Sequence, residues 1–253
     1  MKRTIDLNCD MGEGYGRWTL GQDQEMMRHI SSANIACGFH AGDPLVMSST
    51  LALAAEHEVS VGAHPGYPDL QGFGRRNIAY RSDEIAAMVL YQIGALAALA
   101  RVHRLEVRHV KPHGALYNTA GVDRHVAEAT VQGILNFSKD LYLYCLPGSL
   151  LEEAGSAFGL RIVPEGFADR AYEPNGSLAD RSVSGSVLTV FEAVAQALSL
   201  CGGAVTTTGG NVLEQRVSTI CVHGDTDGAA QIAKSIRAAL LKEGISVEPP
   251  SRS

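Results

Sequence analysis

The chain has 253 residues, 45% of them apolar, with a formal net charge of −6 and a pI near 5.8. That is enough apolar material for a sizeable core, and an acidic balance without a basic tail argues against nucleic acid or an anionic membrane as partner. Five cysteines without a CxxC pair do not read as a disulfide framework, MKRTIDLNCD turns polar too soon for a signal peptide, and no uninterrupted apolar run reaches the roughly 18 residues of a span, so a cytoplasmic protein is expected.

TIDLNCD (4–10) alternates apolar and polar residues and runs into the glycine-rich MGEGYG, which predicts a strand and the loop leaving its C-terminal end. A short helix is expected over 22–31 and a strand over 32–37. A helix follows, capped by Asp43 with Pro44 in its first turn and reaching about residue 58. VSVGA (59–63) predicts the third strand, which empties into the long excursion HPGYPDLQGFGRR before Ser82 caps a helix to about residue 104. Gln92, Gly94 and Arg101 interrupt that apolar helix, so it reads as a core helix and not a span.

The rhythm repeats in the second half. Strands are predicted over 107–111, 141–146, 160–167 and 218–225, and helices over 122–137, 149–159, 187–200 and 227–244. AVTTTGGNVLEQ predicts a small excursion around its Gly-Gly turn. Within HVKPHGALYN (109–118), Pro112 argues against a helix carrying His109 and His113 on one face. Seven strands, nearly all followed by a helix, imply a parallel sheet built from right-handed βα units. Polar clusters end almost every strand and no GxGxxG follows the first. Both features favour a closed seven-stranded (β/α) barrel over an open dinucleotide-binding sheet, as one domain over 1–253.

The strand ends deliver their polar residues to one rim: Asn8, Asp10 and Glu13; Asn34, His40 and Asp43; His64 and Asp69; Lys111 and His113; Glu165, Asp169 and Arg170; His223 and Asp225. Asp10, His64 and His113 supply one carboxylate and two imidazoles, suited to a divalent metal or to metal-free acid–base catalysis, and both readings stay open. Glu13 is a further catalytic candidate. Lys111 is expected to meet a substrate carboxylate or a developing oxyanion. Arg75, Arg76 and Arg170 are candidate carboxylate or phosphate clamps, and Asn8, His40 and Asp169 further substrate contacts. His109 is expected to be a packed histidine. No GxxxxGK[ST] phosphate loop is present.

IDLNCDMGEGYGRW, SANIACGFHAGDP, VGAHPGYPDLQGFGRR, YQIGAL, HVKPHGALYN, FADRAYEPNGSL and TICVHGD together resemble the LamB/YcsF family, in the same order and over about residues 4–245. CLPGS (145–149) and the PNG of 174–176 depart from the family pattern. The resemblance implies a seven-stranded (β/α) barrel of the glycoside hydrolase/deacetylase type. It also implies the A component of a 5-oxoprolinase, which opens the ring of 5-oxo-L-proline to L-glutamate at the expense of ATP. Partner subunits B and C would carry most of the ATP-dependent activation, and Asp10, His64 and His113 would hold a divalent metal ion. Alternatives are an ATP-independent, metal-dependent deacetylase or amidohydrolase, and a non-catalytic lactam-binding scaffold.

Overall fold

The computed structural model describes residues 3–224 and 228–251. Asp225 and the junction between the last predicted strand and helix lie outside the described residues. Seven parallel strands form the barrel: β1 (Arg3–Met11), β2 (Ser32–Ala36), β3 (Ser60–His64), β4 (Val107–Val110), β5 (Tyr142–Cys145), β6 (Arg161–Phe167) and β9 (Thr219–Val222). Each pairs with the next, and β9 returns to β1 with Asp6 opposite Thr219 and Asn8 opposite Cys221, closing the ring. This is the expected seven-stranded (β/α) barrel.

Alternation along the strands sorts the residues into two faces. Leu7, Cys9, Ile35, Val110, Ile220 and Val222 belong to the buried apolar core, which the helices cover. The alternate residues turn inward and form a polar interior in layers. Asp6 accepts from Ser32, Tyr144 and Thr219. Above it Asn8 bridges Glu165 and Thr219, and Asn34 reaches both Asn8 and Asp10. Barrels of this kind are more often filled with branched apolar side chains. Here the interior is a hydrogen-bonded network, and such a network specifies one arrangement when its members are satisfied.

The helices are α1 (Asp23–Met26), α2 (Pro44–Glu56), α3 (Ser82–Val102), α4 (Gly114–Val122), α5 (Arg124–Phe137), α6 (Leu150–Ala157), α7 (Val190–Cys201) and α8 (Ala229–Lys242). Asp43 caps α2 as expected, accepting from Leu45 and Val46. At α3 the cap is Arg81, whose N–H donates to Glu84, so Ser82 is already the first helical residue. By length and composition α3 could cross a membrane, but Ile85, Val89, Gln92, Ile93, Leu96 and Ala100 are buried in the protein. Two elements escaped the sequence pattern. α4 starts on Gly114 at φ +51, directly after His113. β10 (Ile245–Val247) pairs with the outer end of β1. The predicted excursion is the antiparallel hairpin β7 (Ala204–Thr206) and β8 (Val212–Glu214).

A register shift between β3 and β4 sets Gly62 opposite His109 and leaves Arg108 without a strand partner on β3. His109 then lies flat on Tyr144, ring centroids 4.1 Å apart, and bonds Asn34. A Cβ on Gly62 would fall 2.2 Å from that imidazole. Gly62→Ala is therefore expected to destabilise the protein by about 1–3 kcal/mol through overpacking, read as a lowered urea midpoint at unchanged m-value.

Candidate active site

A cavity of about 690 Å³ opens at the C-terminal ends of the barrel strands. Of the residues expected at the site, Asp10, Glu13, His64, Arg75, Lys111, His113 and Arg170 line it. Four others are drawn together differently. Asn8 is fully buried beneath the floor, within the interior network. His40 lines a smaller neighbouring cavity with Glu13. Arg76 pairs with the buried Asp69 and ties down the loop between β3 and α3. Asp169 is buried behind His223. These four are placed to support or position, not to touch a molecule in the main cavity.

Two carbonyls orient the central histidines. His64 Nδ1 lies 2.7 Å from the Lys111 carbonyl, and His113 Nε2 lies 2.8 Å from the Phe73 carbonyl. A carbonyl only accepts, so each of those nitrogens carries its hydrogen. Phe73 itself sits at φ +53, an uncommon conformation for a side-chain-bearing residue. The remaining nitrogens, His64 Nε2 and His113 Nδ1, face each other at 3.0 Å. Asp10 Oδ2 is 3.4 Å from the first and Glu13 Oε1 3.6 Å from the second. Four acceptor atoms converge with no hydrogen between them, which calls for a cation: a shared proton or a metal ion.

The donor set fits a first-row divalent ion. Metal-binding histidines characteristically give their second N–H to a carbonyl or carboxylate, as both do here, and separations near 3.0–3.4 Å suit ligand atoms around an ion bonded at about 2.0–2.2 Å. Asp10, His64 and His113 would hold it, with Glu13 at its edge. His40 lies close enough to join them, since Glu13, His40, His64 and His113 each offer a ligand atom within 4.8 Å of the others. Its ring is stacked on His113, centroids 3.7 Å apart and planes within 2°.

Burial, reinforced by the neighbouring histidines, holds the His40 and His113 pKa values well below the usual range and keeps both rings neutral. Burial would raise the pKa of Asp10, but His64 and Lys111 overcome it and keep the carboxyl well below its ordinary value. Lys111 is likewise disfavoured by burial yet held charged by Asp10, Cys221 and Glu165. Its Nζ lies 2.9 Å from Asp10 Oδ1, 2.9 Å from Glu165 Oε1 and 3.0 Å from Cys221 Sγ. An ammonium has three N–H groups, and all three are directed to these partners. The expected anchoring of a substrate carboxylate by Lys111 thus gives way to the guanidinium groups of the cavity wall, Arg75, Arg170 and Arg181.

His109 is buried below the floor, as expected of a packed residue, its pKa pushed down to about 3 by burial and by Lys111. Cys37 is buried too, its thiol pushed up to about 12, which disqualifies it as a nucleophile. The cysteines are all free.

Beside Asp10, with a ligand atom of each residue within 4.8 Å of the other, His223 forms a second centre. Its Nδ1 is 3.0 Å from Asp169 Oδ1, its backbone N–H donates to Asp169 Oδ2, and its ring stacks on Phe167. Burial opposes the Asp169 charge, but the adjacent His223 outweighs it and lowers the pKa. Tyr117 also lines the cavity and donates to Glu165. Sequence reasoning reached His223 as a rim residue without a role, because its partner Asp169 is 54 residues away.

The sequence profile of the LamB/YcsF family matches residues 5–253. The 5-oxoprolinase A component of Symbiobacterium thermophilum is 52% identical, covering 98% of this chain and 96% of its own length. The corresponding protein of Pyrococcus abyssi is 49% identical over 97% of each. The crystal structure of a lactam utilization protein from Thermus thermophilus superposes with a TM-score of 0.92 at 44% identity, covering 97% of this chain and 99% of that one. A putative cellobiose-phosphate cleavage protein from Enterococcus faecalis, at 13% identity and a TM-score of 0.56, shares the fold. Motifs, barrel and relatives agree: the chain belongs to the LamB/YcsF family.

Proposed function

We propose that this chain opens the ring of 5-oxo-L-proline to give L-glutamate, in a reaction coupled to ATP hydrolysis and shared with two partner subunits, B and C. One observation carries the reading. A carboxylate–imidazole centre and an aspartate-backed histidine stand side by side in a cavity whose wall bears arginines, groups suited to a small amide with a free carboxylate. The relatives, a lactam utilization protein and the A components of 5-oxoprolinases, point to the same chemistry.

A lactam resists water because resonance protects its carbonyl. Phosphorylation of the lactam oxygen by ATP, assigned to the partners because this sequence carries no phosphate loop, makes C5 electrophilic. Glu13, at the edge of the histidine pair, takes a proton from the attacking water. The new O–C5 bond forms, the C5–N bond breaks, and His223 delivers a proton to the departing nitrogen while Asp169 holds its ring. The opened acyl phosphate then loses inorganic phosphate to a second water. A divalent ion held by Asp10, His64 and His113 would polarise the C5 oxygen and acidify the attacking water. Arg75 and Arg170 take the substrate carboxylate.

The test is glutamate release from 5-oxoproline by the chain combined with its partners. Release should require ATP, and His223→Ala should lower turnover about 10²- to 10⁴-fold, the range for loss of a general acid. Asp169→Asn, which leaves the imidazole in place, should cost less. Release by the chain alone without ATP would overturn the coupled reaction in favour of simple amide hydrolysis.

A further inference from the structure

The ammonium of Lys111 stands against a group of side chains that could hold a metal ion. Asp10, Cys221 and His223 each offer a ligand atom, and the three lie within 4.8 Å of one another. The Lys111 Nζ contacts two of these residues, at 2.9 Å from Asp10 Oδ1 and 3.0 Å from Cys221 Sγ, and it also bonds Glu165 Oε1 at 2.9 Å. Asn8 Oδ1 stands slightly further off at 3.4 Å. Glu165 has no exposed surface and Asp10 very little, so two buried carboxylates require a positive charge between them.

We infer that Lys111 is a tethered counter-cation that fills a second cation site beside the Asp10–His64–His113 centre and thereby keeps a divalent ion out of it. Carboxylate, thiolate and imidazole together are the ligands of a borderline-soft first-row ion such as Co²⁺ or Zn²⁺. The arrangement also divides Asp10. Its Oδ1 is held by Lys111 and Asn34, which leaves Oδ2 for the His64 side. Lys111 is therefore a positioning residue that stays in place whatever the metal supply, and it limits the centre to one ion. That last consequence rests on the metal reading above; the second cation site does not.

The experiment compares the parent chain with Lys111→Met and Lys111→Arg in Co²⁺ titrations followed by absorption, with metal content measured after gel filtration. Lys111→Met should bind about one more Co²⁺ per chain than the parent and acquire a near-ultraviolet thiolate-to-cobalt band. That band should vanish in the Lys111→Met/Cys221→Ser double variant. Lys111→Arg, still cationic, should behave as the parent. A folded Lys111→Met with the parent's cobalt content and no new band would overturn the inference, because the carboxylates would then have taken up protons instead. Where Lys111→Met does not fold in metal-free buffer, refolding with Co²⁺ should restore a cooperative melt, and failure of that rescue overturns it equally. Since the readout is metal stoichiometry and not turnover, a chain inactive on 5-oxoproline would refute the proposed function and leave this result standing.

Discussion

Asp10→Asn is expected to lower ATP-dependent glutamate release by the assembled enzyme about 10²- to 10⁴-fold, with little loss of fold. The substitution keeps the shape of the side chain. Its amide oxygen can still accept from Lys111 and Asn34, which bond Oδ1 in the parent, and Glu165 still balances the ammonium. What changes is the atom facing His64 Nε2 at 3.4 Å, which turns from an acceptor into an N–H donor. The cation-binding cluster of His64, His113 and Asp10 loses one negative ligand where positive charge must be held, and any bound ion should be lost with it. Glutamate release and metal content measured on the same preparation, beside a thermal melt, check this. A rate within tenfold of the parent would remove Asp10 from the mechanism.

Acid should unfold the protein early. His40, His109 and His113 are buried and kept neutral, all three with pKa values held below the ordinary histidine value, His109 at about 3. In the unfolded chain each would titrate near 6.5. Below that value the unfolded state binds more protons than the folded state, so stability is full above pH 6.5 and falls as the pH drops toward the folded values. With three such groups the slope approaches roughly 4 kcal/mol per pH unit, large against the 5–15 kcal/mol that typically holds a domain together. Urea midpoints measured at pH 7.5, 6 and 5 should decline steeply over the last interval. A flat profile down to pH 5 would mean that these rings are charged or exposed. The depressed pKa of Asp10 adds a later loss, below about pH 4, as its carboxylate is protonated.

Much of this barrel is legible in one dimension because its inner and outer faces differ in chemistry. In IDLNCD every second residue is polar, and those residues, Asp6, Asn8 and Asp10, are the ones the barrel interior collects. The same alternation puts His109 and Lys111 on one face, although the register shift opposite Gly62 decides how they meet their neighbours. α4 was hidden because its first residue is a glycine in the left-handed region and no apolar stripe announces it. The short strand β10 was hidden because three residues carry no measurable period.

The residue types at the rim, and the strand ends that deliver them, are set by the sequence, since local alternation and turn chemistry act between near neighbours. The pairings are set only by the closed barrel. Lys111 finds Asp10 across 101 residues and Cys221 across 110, and His223 finds Asp169 across 54. Whether Lys111 meets a substrate or a buried carboxylate depends on distances of a few ångströms between strands that are remote in the chain. Closing the ring fixes those distances, and no pattern of neighbours along the chain encodes them.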